Sequence, residues 1–83
     1  MMTELAPVID SRKSFYKKAH VLTEDNKTIL ISYSTRVAEI EDGEAKIFGT
    51  YSPTTLRHIK DFLYQNGFEI GTKKELMEMY YNN

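Results

Sequence analysis

The sequence predicts a small α+β domain in which an antiparallel sheet is followed by two helices. Three observations lead to this class: hairpin patterns in the first half, a helix marked at both ends, and a second capped segment near the C-terminus. We expect three or four strands, formed by β-hairpins, and then one long and one short helix packed on one face. Strands that precede helices are typical of such domains.

Length and composition allow one domain. The 83 residues include 41% hydrophobic and 28% charged side chains, which is ordinary for a globular protein. Residues 1–11 show no periodicity and contain Pro7, so we assign them to a flexible N-terminal arm and residues 12–83 to a single α+β domain.

The first hairpin is predicted from two segments rich in aromatic and β-branched residues, 14–22 and 28–34. The polar residues 23–27 between them are typical of a turn, which favours an antiparallel pair. No glycine or proline separates Ser32 from Arg36, so this stretch fits either a tight connection between two strands or one long strand with a bulge or bend.

The second hairpin is predicted from Asp42-Gly43, because a two-residue type I′ turn needs positive φ at both central positions. Pairing outward from this turn gives one apolar face and one ion-paired face. The expected pairs are Ile40 with Ala45, Ala38 with Ile47, Glu39 with Lys46 and, as the single poor match, Glu41 with Glu44.

The long helix begins at Ser52-Pro53, where serine suits the N-cap and proline the first helical position, and it ends at Gly67. Helical spacing predicts a packed stripe and an outer face. The stripe consists of Leu56, Ile59, Phe62, Leu63 and Asn66. We place Arg57, Lys60, Asp61 and Tyr64 away from it.

The short helix is predicted from Thr72-Lys73-Lys74-Glu75, a capping box in which a threonine and a glutamate three residues later satisfy each other's backbone amides. Leu76, Met77, Met79 and Tyr80 follow it.

Several classes of function are disfavoured by what the chain lacks. The absence of cysteine removes disulfides and thiolate catalysis and fits a cytoplasmic protein. The apolar runs are too short for a membrane span, and residues 1–10 do not resemble a secretory signal. The two histidines, His20 and His58, are too few for a histidine-rich metal site. We therefore expect no enzyme activity, no metal and no cofactor.

Charge is unevenly distributed although the formal net charge is only −1. Residues 11–36 carry six basic side chains against two acids, whereas residues 37–50 carry four acids and one lysine. A solvated surface is the usual origin of such asymmetry, and self-association through complementary halves is an alternative.

Hydroxyls and cations collect in two stretches, around the start of the long helix and in residues 33–36. A helix N-terminus favours anions, because its free N–H groups and dipole present positive charge. We favour a capped helix and a polar strand connection over an anion site. The candidate residues for binding a partner or an anion are Tyr33, Thr35, Arg36, Tyr51, Ser52, Thr54, Thr55, Arg57 and His58.

Two stretches, residues 32–40 and 51–68, resemble a family of short uncharacterised proteins from phages, plasmids and integrated elements of Gram-positive bacteria. The resemblance is most specific in the long helix, with its Ser-x-Thr-Thr-x-Arg-His-Ile start and Gln-Asn-Gly-Phe end. It covers about residues 15–68, and Lys17 stands where a glycine is expected. It implies a small accessory protein that acts on a host-encoded or element-encoded partner, and no reaction.

These features favour a small non-enzymatic interaction module that binds an unidentified protein partner, or itself, through a Tyr/Ser/Thr/Arg surface. Six tyrosines in 83 residues agree with a protein interface, although tyrosines also cap the edges of small cores. The alternative is a nucleic-acid-binding accessory protein that uses the basic first hairpin and the start of the long helix. We expect no membrane association.

Overall fold

The structure, a computed structural model, describes residues 1–9, 18–49 and 51–81. These residues form a five-stranded antiparallel sheet followed by two helices, which confirms the α+β class. The strands are neighbours in chain order. The strands and helices are β1 (Met2–Glu4), β2 (Ala19–Glu24), β3 (Lys27–Ser32), β4 (Thr35–Glu41), β5 (Glu44–Ile47), α1 (Pro53–Gln65) and α2 (Lys73–Tyr80).

The sheet has five strands, so the expected number of three or four is too low. The additional strand is β1, which pairs Met2 with Leu22 and Glu4 with His20 inside the segment assigned to an arm. All three of its residues are exposed, so it lacks the alternation of buried and exposed positions that marks a strand in sequence. Leu5, directly after it, is buried in the core. The predicted segment 14–22 is described only from residue 18 onward.

The hairpin between β4 and β5 forms as predicted. Asp42 and Gly43 have φ values of 52° and 78°, the pair of positive angles that a type I′ turn requires. All four expected residue pairs occur, including the two glutamates that face each other beside the turn. Turn chemistry and alternation therefore specify this register without help from the rest of the chain.

Replacing Gly43 with alanine should lower the free energy of unfolding by about 1 kcal/mol, since an L side chain at positive φ is strained. A Cβ at this position would have no atom within 4 Å, so the loss would come from the backbone and not from a clash. Urea denaturation measures the loss. The matched variant Gly43→Asn should retain most of the stability, because asparagine tolerates this conformation. Equal losses in the two variants would contradict the explanation.

A two-residue turn of Tyr33 and Ser34 joins β3 to β4, and a bulge follows in β4. Leu30 pairs with Ala38 and Ile31 with Arg36, which leaves Val37 as the extra residue. Val37 is only 1% exposed and belongs to the hydrophobic core. The tight connection between two strands is therefore the correct alternative, and one long strand is wrong. The bulge at Val37 turns into the core a side chain that strict alternation would place on the other face.

Helix α1 packs against β3 through most of the predicted stripe: Leu56, Ile59, Phe62 and Leu63 are buried. Ser52 caps the helix by accepting the Thr55 amide, and Gly67 (φ 82°) follows its end. Two placements are corrected. Asp61 is fully buried instead of lying on the outer face, and Asn66 is exposed at the C-cap, where its side chain donates to the Phe62 carbonyl.

Helix α2 begins at the predicted capping box, with both reciprocal hydrogen bonds of Thr72 and Glu75 present. The backbone hydrogen bond from Thr72 holds the pKa of Glu75 below its usual value. Leu76 is fully buried, and the helix packs beside β5, where Tyr81 forms a parallel bridge with Ile47. Neither helix in the described part of the chain has the length and apolar content that a bilayer crossing requires.

Candidate functional site

The fold brings together the two hydroxyl-rich stretches that the sequence left apart. Ser32, the last residue of β3, has its Oγ 3.0 Å from Thr55 Oγ1 and 2.8 Å from His58 Nδ1 on helix α1. These contacts join residues separated by 23 and 26 positions. The turn between β3 and β4 therefore lies against the first two turns of α1.

Two of the candidate residues, Thr55 and His58, are not part of the protein surface, because they pack against Ser32. Thr55 is 6% exposed and His58 is fully buried, so neither is accessible to a partner. Their placement corrects the expectation of surface residues. A buried hydroxyl or imidazole needs hydrogen-bond partners, and Ser32 supplies one to each.

The start of α1 is capped by its own side chain. Ser52 Oγ accepts the Thr55 amide at 3.3 Å and lies 3.4 Å from Thr55 Oγ1. This arrangement agrees with the favoured reading of a capped helix, since one of the free amides that would attract an anion is already bonded. Ser52 remains exposed and Thr54 is half-buried.

Tyr33 is the most unusual residue of the region. Its φ of 61° lies in the left-handed region, where a bulky side chain is strained. The side chain is nevertheless 52% exposed. Its ring centroid lies 6.0 Å from that of His58, and Lys18 Nζ lies 5.9 Å from the same tyrosine ring, within the range of a cation–π contact. The Tyr33 amide donates to the Lys18 carbonyl at 2.7 Å.

The other candidates occupy separate places. Thr35 pairs with Ser32 and therefore lies on the face of the sheet that contacts α1. Arg36 pairs with Ile31 and lies on the opposite face. Both residues are exposed. Arg57 is half-buried on α1.

Tyr51 is half-buried. It precedes the N-cap of α1 and lies near Tyr81, which follows α2. Burial and the nearby Tyr81 phenol raise its pKa. The candidate residues thus do not form one continuous surface. We use the name turn surface for the exposed part around the β3–β4 turn, which consists of Lys18, Tyr33, Ser34, Thr35 and Arg36.

Asp61 is a structural anchor that sequence reasoning missed. Its carboxylate accepts the Val8 amide at 2.9 and 3.1 Å, the Ile9 amide at 3.1 Å and the Gln65 side-chain amide at 2.6 Å. Gln65 also donates to the Ala6 carbonyl at 2.8 Å. These bonds tie residues 6–9 to the last turns of α1. No local signal marks the contact with residues 8 and 9, because these backbone amides lie more than 50 positions from Asp61 along the chain.

Five acidic residues of the hairpins lie at the end of the sheet opposite the turn surface, and a sixth, Glu39, lies within β4 opposite Ile29. The β2–β3 and β4–β5 turns lie together there and carry Glu24, Asp25, Glu41, Asp42 and Glu44. Within the described ranges, no group of three or more acidic or histidine side chains is arranged to hold a metal ion. The sheet therefore has an acidic end and, at the turn surface, a basic and aromatic end.

Comparison with known proteins gives one family. The model of a family of unknown function (DUF8033) matches residues 3–78 of the chain. The match confirms that the chain resembles an uncharacterised family, and it includes residues before 15 and after 68. No curated protein and no solved structure shows significant similarity to the chain.

Proposed function

We propose that this chain, which belongs to the DUF8033 family of unknown function, is a non-enzymatic interaction module that binds a protein partner, or a second copy of itself, through the turn surface. The observation that carries the proposal is Tyr33, an exposed aromatic residue held in a left-handed backbone conformation.

The conformation of Tyr33 matters because other residue types would adopt it at a lower cost in free energy. A strained non-glycine residue costs about 1–3 kcal/mol, and such residues cluster at functional sites. Glycine or asparagine would occupy the turn with less strain. The ring buries only about half of its surface within the chain, so its packing offsets little of that cost. A tyrosine that contacts a partner at this position accounts for its presence, since tyrosine is enriched among residues that dominate binding energy.

Replacing Tyr33 with glycine should separate stability from binding. Glycine stabilises the folded state by relieving backbone strain. It also destabilises the protein, because the ring contacts are lost and the unfolded chain gains conformational freedom. These effects oppose each other, so the free energy of unfolding should stay within about 1 kcal/mol of the wild type. Partner binding should fall at least about tenfold. Urea denaturation and an affinity measurement with the captured partner test the two halves. A loss of stability well above this range would show that Tyr33 is retained for folding.

A capture experiment tests the proposal itself. Immobilised wild-type protein is exposed to a lysate of the organism that encodes it, beside the variants Tyr33→Ala and Tyr64→Ala. Tyr64 is the matched control, because it is 50% exposed but lies in the last turns of α1, away from the β3–β4 turn. A partner retained by the wild type and by Tyr64→Ala, and lost with Tyr33→Ala, supports the proposal. Light scattering after size exclusion covers self-association, which Tyr33→Ala should abolish. Equal behaviour of the three proteins in both assays would refute it.

We also propose a setting for the partner. The resemblance of residues 51–68 to proteins of phages, plasmids and integrated elements of Gram-positive bacteria suggests an accessory protein that acts in the cytoplasm on a host-encoded or element-encoded protein. The genes that flank its coding sequence test this origin, and a chromosomal neighbourhood without element genes would contradict it.

Nucleic-acid binding is the second candidate function, and the contact between Lys18 and Tyr33 is the observation that favours it. Aromatic rings beside cations can stack on bases. Such binding should weaken steeply as salt rises and should fail when Lys17, Lys18, Arg36 and Arg57 are neutralised. An absence of retention on DNA or RNA at low salt would eliminate this alternative.

A further inference from the structure

We infer that the partner presents an acidic segment to the turn surface. This inference rests on the proposed function and adds the chemistry of the partner. It follows from the charges around Tyr33, from the position of the acidic side chains in the fold, and from the small net charge of the chain.

One cation lies close to the Tyr33 ring, and a second follows three positions later in the chain. Lys18 Nζ is positioned over the tyrosine ring, whereas Arg36 is the second residue of β4 and pairs with Ile31 on the face of the sheet opposite Thr35. Both side chains belong to exposed residues, so their charges are available to a partner that approaches the turn. The phenol of Tyr33 adds a hydrogen-bond donor beside them. A carboxylate is the group that this combination recognises, because charge-assisted hydrogen bonds from lysine and arginine are strong and the ring packs the aliphatic part of the same segment.

The acidic side chains of the hairpin turns do not neutralise these cations. They lie at the far end of β3, a strand of six residues, which corresponds to about 20 Å. That separation exceeds the screening length of about 8–10 Å at physiological salt. Two other acidic residues lie nearer: Glu4 stands opposite His20 on β1, one strand from Lys18, and Glu39 of β4 pairs with Ile29 on one side, two positions from the Ile31–Arg36 pair, and with Lys46 on the other. The turn surface itself contains no acidic residue.

The same charge distribution favours an acidic protein segment over a nucleic acid. Binding to a polyanion depends on many cations that face a long row of phosphates. The net charge of −1 and the acidic end of the sheet oppose such extended contact. A short acidic segment needs only the few cations of the turn surface, and it does not reach the acidic end.

Selection of short random peptides on the immobilised full chain tests the inference. The baits are the wild type, Lys18→Glu, Arg36→Glu, Tyr33→Ala and the control charge reversal Lys74→Glu. Lys74 is an exposed lysine of α2, away from the β3–β4 turn. All substituted residues are exposed, and urea denaturation verifies that each variant folds. Labelled oligothymidylate serves as the nucleic-acid probe in a parallel anisotropy measurement.

The expected result is enrichment of peptides that contain aspartate or glutamate. Their affinity should fall at least about tenfold with Lys18→Glu and with Tyr33→Ala, fall severalfold with Arg36→Glu, and stay unchanged with Lys74→Glu. It should also decrease as the salt concentration rises.

Other outcomes overturn the inference. Neutral peptides that depend on Tyr33 but not on Lys18 would leave the proposed function intact and refute the acidic partner. Tyr33-dependent binding of oligothymidylate that exceeds peptide binding at physiological salt would replace the acidic segment by a nucleic acid. Selection without any acidic enrichment would reject the inference, whereas equal behaviour of wild-type and Tyr33→Ala baits in peptide selection and lysate capture alike would reject the proposed function as well.

Discussion

Replacing Asp61 with asparagine should lower the free energy of unfolding by about 2–4 kcal/mol and release residues 6–9 from α1. The carboxylate is fully buried and accepts the amides of Val8 and Ile9. Asparagine has nearly the same shape but only one acceptor oxygen, so its own NH₂ group would face a backbone N–H. A hydrogen bond to a charged group contributes more than a neutral one, about 1.5–3 kcal/mol.

Urea denaturation and amide hydrogen exchange measure the two parts of this prediction. For a domain of this length the total stability is roughly 4–12 kcal/mol, so the loss should be a large fraction of it. The Val8 and Ile9 amides should lose protection first. The control Gln65→Ala removes one donor to Asp61 and the bond to the Ala6 carbonyl but leaves the carboxylate in place, so it should cost less, about 1 kcal/mol. Unchanged stability and protection in Asp61→Asn would show that residues 6–9 do not depend on this carboxylate.

Replacing Phe62 with alanine should be the most destabilising change in α1, with a loss of about 3–5 kcal/mol. Phe62 is fully buried and lies among the side chains that connect α1 to the sheet. Removal of the ring leaves a cavity that the surrounding strands fill only in part. Because the loss is a large fraction of the roughly 4–12 kcal/mol expected for a domain of this length, the midpoint of urea denaturation should move to a much lower urea concentration.

The control for this prediction lies two residues further along the same helix. Tyr64 is 50% exposed, so Tyr64→Ala should change the free energy of unfolding by less than about 1 kcal/mol. Both variants remove one aromatic ring from α1 and differ chiefly in the burial of that ring. Circular dichroism during urea denaturation gives the two values. Similar losses would mean that α1 does not pack on the sheet through the predicted stripe.

The correct local predictions depended on residues close together in the chain. Asp42-Gly43, Ser52-Pro53 and Thr72 with Glu75 each act on backbone groups within a few positions, so their effect can be read without the fold. The alternation of apolar and polar residues on both sides of the β4–β5 turn also predicted the complete register of that hairpin. For the candidate site, the sequence predicted the exposed hydroxyl and cationic residues. It did not predict which of the candidate residues are in contact with one another.

Tertiary contacts decided the remainder. Strand β1 forms because β2 offers an edge to three exposed residues, and Val37 enters the core because a bulge turns it inward. Asp61 is buried because amides 52 and 53 positions away approach it, and His58 is buried because Ser32 approaches across 26 positions. The sequence by itself determined the β2–β3 and β4–β5 turns, the caps and most of the apolar stripe, because these follow from the conformational preferences of neighbouring residues. Only the folded chain decided which polar side chains face inward, since a buried polar group is stable only where distant segments supply its hydrogen bonds.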